Sequence, residues 1–180
     1  MDHGGAYGPG GNPDVRLLES PVAPKVRAVL FDRDGTIIED VPYNGDPELV
    51  RPVPKARELL DSLRAVGIIT AVISNQSGVG RGLITVEQVE SVNARVDELL
   101  GPFAGFFYCP HTSEANCECR KPSPKLILDA AERAGVRGPD CILVGDKASD
   151  VEAARNAGAR SILIDERTTL ADAVQQVLAD

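Results

Sequence analysis

The chain has no tryptophan, one methionine and two histidines, and aromatic residues make up only 4% of its 180 residues. Positive charge is also scarce, since 19 Lys and Arg residues stand against 27 Asp and Glu residues, for a formal net charge of −8. This acidic balance argues against nucleic acid or an anionic membrane surface as a partner. A protein of this composition that handles phosphate must gather positive charge locally.

Long apolar runs are missing too, and none approaches the roughly 20 residues that a membrane-spanning helix needs. The first residues lack the basic-then-apolar pattern of a secretion signal, so we expect a cytoplasmic protein. Glycine and proline are concentrated near the N-terminus, which predicts a flexible tail over residues 1–24. The length favours one domain, at 25–180. We expect a monomer, because no long exposed apolar stripe is evident.

From residue 25 onward, apolar strand patterns alternate with amphipathic helix patterns. This alternation predicts an α/β fold: a three-layer, Rossmann-like parallel sheet of about five strands with helices on both faces. Thr85 with Gln88, and Ser149 with Glu152, have the spacing of helix capping boxes.

The most informative run is residues 29–36, with the sequence VLFDRDGT, in which an apolar strand ends on two aspartates. Ligands of open α/β sheets bind at the carboxyl ends of the strands. A carboxylate there can attack phosphorus when a cation offsets the charge repulsion, so Asp32 is the candidate nucleophile. Asp34 can protonate the leaving oxygen and then deprotonate the attacking water. Taken alone, the run could equally be a polar loop that caps a strand.

The next predicted strand ends in a glycine-rich loop, NQSGVGRG, over residues 75–82. The hydroxyl of Ser74 at the strand tip can bind a phosphoryl oxygen, and the loop can present backbone N–H groups to an anion. We therefore predict substrate contacts from Ser74, Asn75, Gln76 and Ser77. The loop does not match the Walker A pattern.

A basic pair, Arg120 and Lys121, precedes Pro122 and a predicted helix. Lys121 would neutralise charge on the attacked phosphoryl group and on Asp32. Arg120 offers a planar fork for a second anionic group of the substrate. The alternative is a solvated pair of basic residues.

A second apolar strand ends on a carboxylate in the sequence LVGDKASD, residues 143–150. Asp146 is a hard oxygen ligand suited to Mg²⁺. Asp150 either supports that site or is an early-turn carboxylate favoured by the helix dipole.

Three cysteines and one histidine fall within the eleven residues 109–119. They are Cys109, His111, Cys117 and Cys119. Three thiolates and an imidazole form the tetrahedral set of a structural zinc site, with no position left open for water. The loop runs directly into Arg120 and Lys121, so zinc would also fix their direction. The alternative is free thiols and a surface histidine. Cys141 lies within an apolar strand and is interpreted as a buried small hydrophobe.

In order and spacing, these motifs resemble those of the haloacid dehalogenase phosphatases. The resemblance implies a Mg²⁺-dependent phosphatase that works through an aspartyl-phosphate intermediate, with Asp32, Asp34 and Asp146 as magnesium site residues. Phosphomutases and dehalogenases of this superfamily usually carry a cap domain inserted after the first or second motif. The chain has room for neither, so a capless member is expected.

The zinc loop before Arg-Lys-Pro is similar to that of one subfamily, which contains heptose 1,7-bisphosphate 7-phosphatases and histidinol-phosphate phosphatases. The NQSGVGRG loop and the Gly145-Asp146-Lys147 sequence resemble the heptose branch. That resemblance implies substrate contacts from Asp40, Tyr43 and Lys147, although the segment matches only at its two ends, Asp40 and Tyr43.

Three hypotheses follow. The first is a sugar-phosphate phosphatase that acts on a heptose bisphosphate. The second is a histidinol-phosphate phosphatase, which the short stretch between His111 and Cys117 favours. The third is a catalytically silent, zinc-stabilised binding module, against which the presence of the four residues Asp32, Asp34, Lys121 and Asp146 argues.

Overall fold

The computed structural model describes residues 26–180, so the tail expected at 1–24 lies outside the described residues. Five parallel strands form one sheet in the order β3-β2-β1-β4-β5. The strands are β1 (Ala28–Phe31), β2 (Ile69–Asn75), β3 (Phe106–Cys109), β4 (Cys141–Gly145) and β5 (Arg160–Leu163). The prediction of a five-stranded parallel sheet is confirmed. Because β1 is central, its carboxyl end lies between those of β2 and β4.

Over residues 26–180, six α-helices lie between or after the strands. They are α1 (Ala56–Ala65), α2 (Ser77–Gly80), α3 (Val86–Leu100), α4 (Lys125–Ala134), α5 (Ala148–Asn156) and α6 (Leu170–Leu178). Short 3₁₀ turns occupy Pro47–Leu49, Ser113–Ala115 and Gly138–Asp140. The glycine-rich loop predicted after β2 therefore contains a single helical turn, α2.

The sheet separates two apolar layers because successive side chains of a strand point to opposite faces. In β1, Val29 and Phe31 pack with helices α1, α3 and α6, whereas Ala28 and Leu30 pack with α4 and α5. The side chains of β1 are fully buried on both faces. This three-layer arrangement leaves the strand ends as the place where polar side chains can gather.

One predicted capping box is confirmed and the other is wrong. The Thr85 hydroxyl accepts from the Gln88 backbone N–H at 3.2 Å, and the Gln88 side chain accepts from the Thr85 N–H at 2.9 Å. Helix α5, however, begins at Ala148, one residue before the predicted cap Ser149. Its first turn is held instead by Asp150, which accepts from the backbone N–H of Lys147 at 3.0 Å.

Between β1 and α1 the chain forms only the turn at Pro47–Leu49. Within residues 26–180 no inserted cap domain follows either the first or the second strand, as expected for a capless member of the superfamily. Over the same residues, no helix combines the length and apolarity needed to cross a membrane.

Candidate active site

Three carboxylates converge at the carboxyl ends of β1 and β4. Phe31 pairs with Val144 across these neighbouring strands, so Asp32, directly after β1, lies near Asp146, which follows Gly145 at the end of β4. The first turn of α5 adds Asp150, and one oxygen from each of the three lies within 4.8 Å of the others. Gly35 has φ +82°, and a Cβ atom there would come 2.6 Å from Asp146 Oδ2. A side chain at position 35 would therefore push into this cluster.

Lys121 is the buried cation of the cluster, with 4% of its surface exposed. Its Nζ lies 2.7 Å from Asp32 Oδ1 and 2.6 Å from Asp150 Oδ1. Burial acts to lower the pKa of Lys121, but Asp32 and Asp150 outweigh it, so the pKa is raised. Asp150 is thus both the partner of Lys121 and the cap of α5. This contact distinguishes it from a carboxylate that serves the helix dipole alone.

The cluster carries excess negative charge, since the one buried ammonium, that of Lys121, lies among the three carboxylates of Asp32, Asp146 and Asp150. Asp146 Oδ1 is buried and has no hydrogen-bond partner. Burial, with a further contribution from Asp32, raises the pKa of Asp146 to about 6. Clustered hard carboxylate oxygens are the ligands that Mg²⁺ takes. The residues present therefore fit a divalent cation at Asp32 and Asp146.

Asp34, expected as a magnesium site residue, does not bring its side chain into this cluster. Its Oδ2 accepts from Arg33 Nε at 3.0 Å and from Gln76 Nε2 at 2.9 Å, and its Oδ1 accepts from Arg33 Nη2 at 3.3 Å. The carboxylate is thereby held apart from Asp32 and Asp146.

Two adjoining cavities open beside the carboxylates. The smaller, of about 30 Å³, is lined by Asp32, Asp34, Asn75, Lys121, Lys147 and Ser149. The larger, of about 280 Å³, is lined by residues 40–44, by residues 75–78 and by Arg33, Asp34 and Lys147. Asp34, Asn75 and Lys147 line both. The small cavity beside Asp32 and Lys121 thus shares lining residues with a larger polar cavity that could hold a sugar.

The predicted substrate residues divide into those that line these cavities and those that do not. Asp40, Tyr43, Asn75, Gln76, Ser77, Lys121 and Lys147 line one or both. Ser74 lines neither cavity; it is buried and accepts from Gln76 Nε2 at 3.2 Å. Arg120 lines neither, and its Nη1 donates to the His111 carbonyl at 3.3 Å.

Asn75 connects the glycine-rich loop after β2 to the backbone of Lys121 in the basic pair. Its Nδ2 donates to the Lys121 carbonyl at 3.2 Å, and its Oδ1 accepts from the Lys121 N–H at 3.1 Å. This two-way contact fixes the backbone from which the Lys121 side chain extends. Asn75 is therefore an anchor of the lysine as well as a cavity wall.

The cysteine and histidine cluster forms a compact set at the end of β3. Sγ of Cys109 lies 3.5 Å from His111 Nδ1 and 3.5 Å from Cys117 Sγ. Cys119 Sγ lies 3.3 Å from His111 Nδ1 and 3.8 Å from Cys117 Sγ. Tetrahedral zinc, with Zn–S bonds of about 2.3 Å, holds its sulfur ligands about 3.8 Å apart. The four residues fit a structural zinc ion.

The protonation of the cysteines bears on metal binding. Burial raises the pKa of Cys109 to about 12. A zinc ligand must be a thiolate, so metal binding would displace this proton. Cys141 lies apart from the set in β4, where it is fully buried and burial raises its pKa to about 11.

The zinc loop and the glycine-rich loop are in direct contact. The Gly80 N–H donates to the Pro110 carbonyl at 2.8 Å. A Cβ atom at Gly80 would lie 3.0 Å from both the Pro110 carbonyl oxygen and the Thr112 backbone nitrogen. Glycine at position 80 allows the two backbones to approach this closely.

Two buried polar residues next to the site, Arg33 and Asn93, were not predicted from the sequence. Arg33 Nη1 donates to Asn93 Oδ1 at 2.7 Å, and both side chains are buried. Asn93 could have been noticed as a polar residue on the apolar face of α3 formed by Val89, Val92 and Val96. Arg33 carried no comparable signal, because an arginine between two aspartates is equally typical of a solvated loop.

Comparisons with known proteins agree with this geometry. A family model described as haloacid dehalogenase-like hydrolase matches residues 43–158. The D-glycero-beta-D-manno-heptose-1,7-bisphosphate 7-phosphatase of Helicobacter pylori is 35% identical over 143 residues, which cover 77% of this chain and 83% of the relative. The Pseudomonas aeruginosa protein of the same name is 33% identical over 141 residues, covering 76% and 79% of the two chains.

Among solved structures, the D,D-heptose 1,7-bisphosphate phosphatase of B. bronchiseptica, complexed with magnesium and phosphate, superposes with a TM-score of 0.75 at 26% identity. The superposition covers 86% of this chain and 99% of that one. The corresponding phosphatase of Burkholderia thailandensis, at 22% identity and a TM-score of 0.62, shares the fold. The family model and the relatives together establish that the chain belongs to the haloacid dehalogenase-like hydrolases.

Proposed function

We propose that this enzyme removes the 7-phosphate of D-glycero-D-manno-heptose 1,7-bisphosphate. The chain is a phosphoric monoester hydrolase, in keeping with its family and with the phosphatases that it resembles. The observation that carries the chemistry is the convergence of Asp32, Asp146 and Lys121 beside a small cavity that opens into a sugar-sized one.

The first chemical step would be attack by a carboxylate oxygen of Asp32 on the phosphorus atom. The bond from phosphorus to the sugar oxygen breaks as the aspartyl-phosphate forms. Asp34, which lines both cavities, would enter this step as the carboxylic acid, with its proton on Oδ1, the oxygen that accepts only one hydrogen bond, and would deliver that proton to the departing sugar oxygen. Lys121, 2.7 Å from Asp32, would offset the negative charge that gathers there.

The second step would release phosphate. Asp34, now a carboxylate, would take a proton from a water molecule as that water attacks the phosphorus atom of the aspartyl-phosphate. Cleavage of the bond between phosphorus and the Asp32 oxygen frees inorganic phosphate and restores both aspartates. The same carboxyl group thus serves as acid and then as base.

We assign Mg²⁺ to Asp32 and Asp146, and structural Zn²⁺ to Cys109, His111, Cys117 and Cys119. When bound, Mg²⁺ supplies the positive charge that lets a carboxylate approach a phosphate anion. The B. bronchiseptica structure, which is complexed with magnesium and phosphate, supports the first assignment. Zinc would hold the loop that leads into Lys121. That the protein acts as a cytoplasmic monomer stays a prediction.

The choice of a heptose bisphosphate is supported by the relatives and by the larger cavity. Its walls combine the carboxylate of Asp40, the amides of Asn44 and Gln76 and the ammonium of Lys147. Such groups suit the hydroxyls of a sugar together with an anionic substituent. We further propose that Arg120, which lines neither cavity and donates to the His111 carbonyl, would leave that contact to meet the distal phosphate.

Histidinol phosphate is the second candidate, because only five residues separate His111 from Cys117. The deciding experiment is a phosphate-release screen with both anomers of the heptose bisphosphate, histidinol phosphate and a panel of sugar monophosphates. A kcat/KM for one heptose anomer well above all other values is expected. A preference for histidinol phosphate, or equal rates across the panel, would overturn the substrate assignment.

A further inference from the structure

Arg33 is a buried guanidinium beside the site, with 1% of its surface exposed. An arginine is stable in such a place only when it is paired and hydrogen-bonded. Nε and Nη2 donate to the two oxygens of Asp34, at 3.0 and 3.3 Å. Nη1 donates to Asn93 Oδ1 at 2.7 Å. The guanidinium therefore links a helix of the core to a carboxylate at the site.

The fork on Asp34 leaves its carboxylate one orientation. Both oxygens are engaged by Arg33, and Gln76 adds a second donor to Oδ2 at 2.9 Å. A two-point contact of this kind fixes the plane of a carboxylate as well as its position. In that orientation the side chain is 19% exposed and borders both cavities. It is also kept out of the cluster formed by Asp32, Asp146 and Asp150.

Asn93 holds the Arg33 guanidinium in place from the side of the apolar core. It lies on α3 between the buried residues Val92 and Val96, so helix packing fixes its position. It borders neither of the two cavities at the site. Its effect on the reaction must therefore pass through Arg33.

We propose that Asn93 and Arg33 are positioning residues that hold the Asp34 carboxylate in line with the leaving oxygen. The inference rests on the proposed role of Asp34 as the acid and base of the reaction. Release of an alkoxide requires that proton, whereas release of 4-nitrophenolate does not. Loss of the anchor should therefore impair the cleavage of alkyl phosphates and spare the cleavage of 4-nitrophenyl phosphate.

The test compares Asn93→Leu with Asn93→Asp, which keeps an oxygen acceptor. The alkyl substrate is the one that the wild-type enzyme hydrolyses fastest in the screen above. The aryl reaction is followed as the pre-steady-state burst of 4-nitrophenolate, which reports phosphorylation of Asp32 alone. Displacement of a catalytic group by about 1 Å can cost roughly 100-fold, so Asn93→Leu should lower kcat on the alkyl substrate by about that factor. KM and the aryl burst rate should change little, and Asn93→Asp should restore most of kcat.

Val92→Ala is the matched control, since it truncates a buried neighbour on α3 that lies outside the contacts of Arg33. It should leave the ratio of alkyl to aryl rates unchanged even if stability falls. Should Asn93→Leu fail to fold, Arg33→Lys makes the same test, because it keeps the charge and loses the fork. Equal losses on both substrates, or no loss on either, would overturn the positioning role.

Asp34→Asn separates this inference from the proposed mechanism. If Asp34→Asn discriminates between the two substrates and Asn93→Leu does not, the positioning role alone is wrong. If Asp34→Asn shows no discrimination, the assignment of Asp34 as general acid fails.

Discussion

Replacing Lys121 with methionine should destabilise the metal-free protein by about 3–5 kcal/mol, the usual cost of removing one partner from a buried ion pair. The ammonium is buried and makes two contacts, at 2.7 Å to Asp32 and at 2.6 Å to Asp150. Hydrogen bonds to charged groups contribute about 1.5–3 kcal/mol each. Since Asp150 already has a raised pKa because of burial, proton uptake there should limit the loss.

Denaturant unfolding in the presence of a chelator measures this loss directly. For a protein of this size, 1 kcal/mol corresponds to about 2–4 °C in Tm, so a drop of roughly 6–20 °C is expected. Lys121→Arg is a useful comparison, because it keeps the charge but not the compact ammonium. Lys125→Met removes a lysine whose partner, Asp129, is a surface residue on the same helix, and should change stability by less than about 1 kcal/mol.

The stabilisation that Mg²⁺ gives should increase in Lys121→Met, although the metal-free variant is less stable than the wild type. Without Lys121, three carboxylates face no buried cation, so Mg²⁺ should stabilise Lys121→Met more than it stabilises the wild type. Turnover should nevertheless be lost, since the charge on the phosphoryl group is no longer offset. Calorimetric titration gives the metal affinity, and phosphate release gives the rate. An unchanged Tm in chelator, or loss of Mg²⁺ binding in the variant, would refute the reasoning.

Three further predictions concern the nucleophile, the zinc loop and the distal phosphate. Asp32→Asn should abolish turnover, and substantial steady-state phosphate release by the purified variant would exclude the covalent route. Elemental analysis should find about one zinc per chain, as a four-ligand structural site requires; Cys117→Ser should reduce that content and Cys141→Ala should not. Arg120→Ala should lower kcat/KM for a sugar bisphosphate by about 10- to 150-fold, the value of a lost charge-assisted contact of about 1.5–3 kcal/mol. Equal losses on a small monophosphate would place Arg120 at the reacting phosphoryl group instead.

Much of the fold could be predicted because local signals and tertiary packing agree. The apolar run before Asp32 is a central strand, and the capping box at Thr85 opens α3. The start of α5 was predicted wrongly, at Ser149, for a physical reason. Asp150 is drawn into the interior by Lys121, and its second oxygen caps the helix at Lys147. A long-range ion pair thus overrides a local capping pattern.

Parts of the candidate site could be predicted where the residues that form them are close together in the sequence. The three cysteines and the histidine of the candidate zinc site are neighbours in sequence and in space. The contacts of Asp34 were not predictable, since Arg33 is tied to Asn93, 60 residues away. Nothing in the local pattern distinguishes a solvated arginine between two aspartates from a buried one. The contact of Arg33 with Asn93 places the guanidinium that holds Asp34 away from the carboxylate cluster.

The close approach of Gly80 to the Pro110 carbonyl also bears on how this scaffold could be re-engineered. A graft that exchanges residues 109–119 for a longer loop would have to keep the Pro110 carbonyl in reach of the Gly80 N–H and leave room at position 80 for a glycine only. A donor that supplies residues 77–80 together with the loop would preserve this contact.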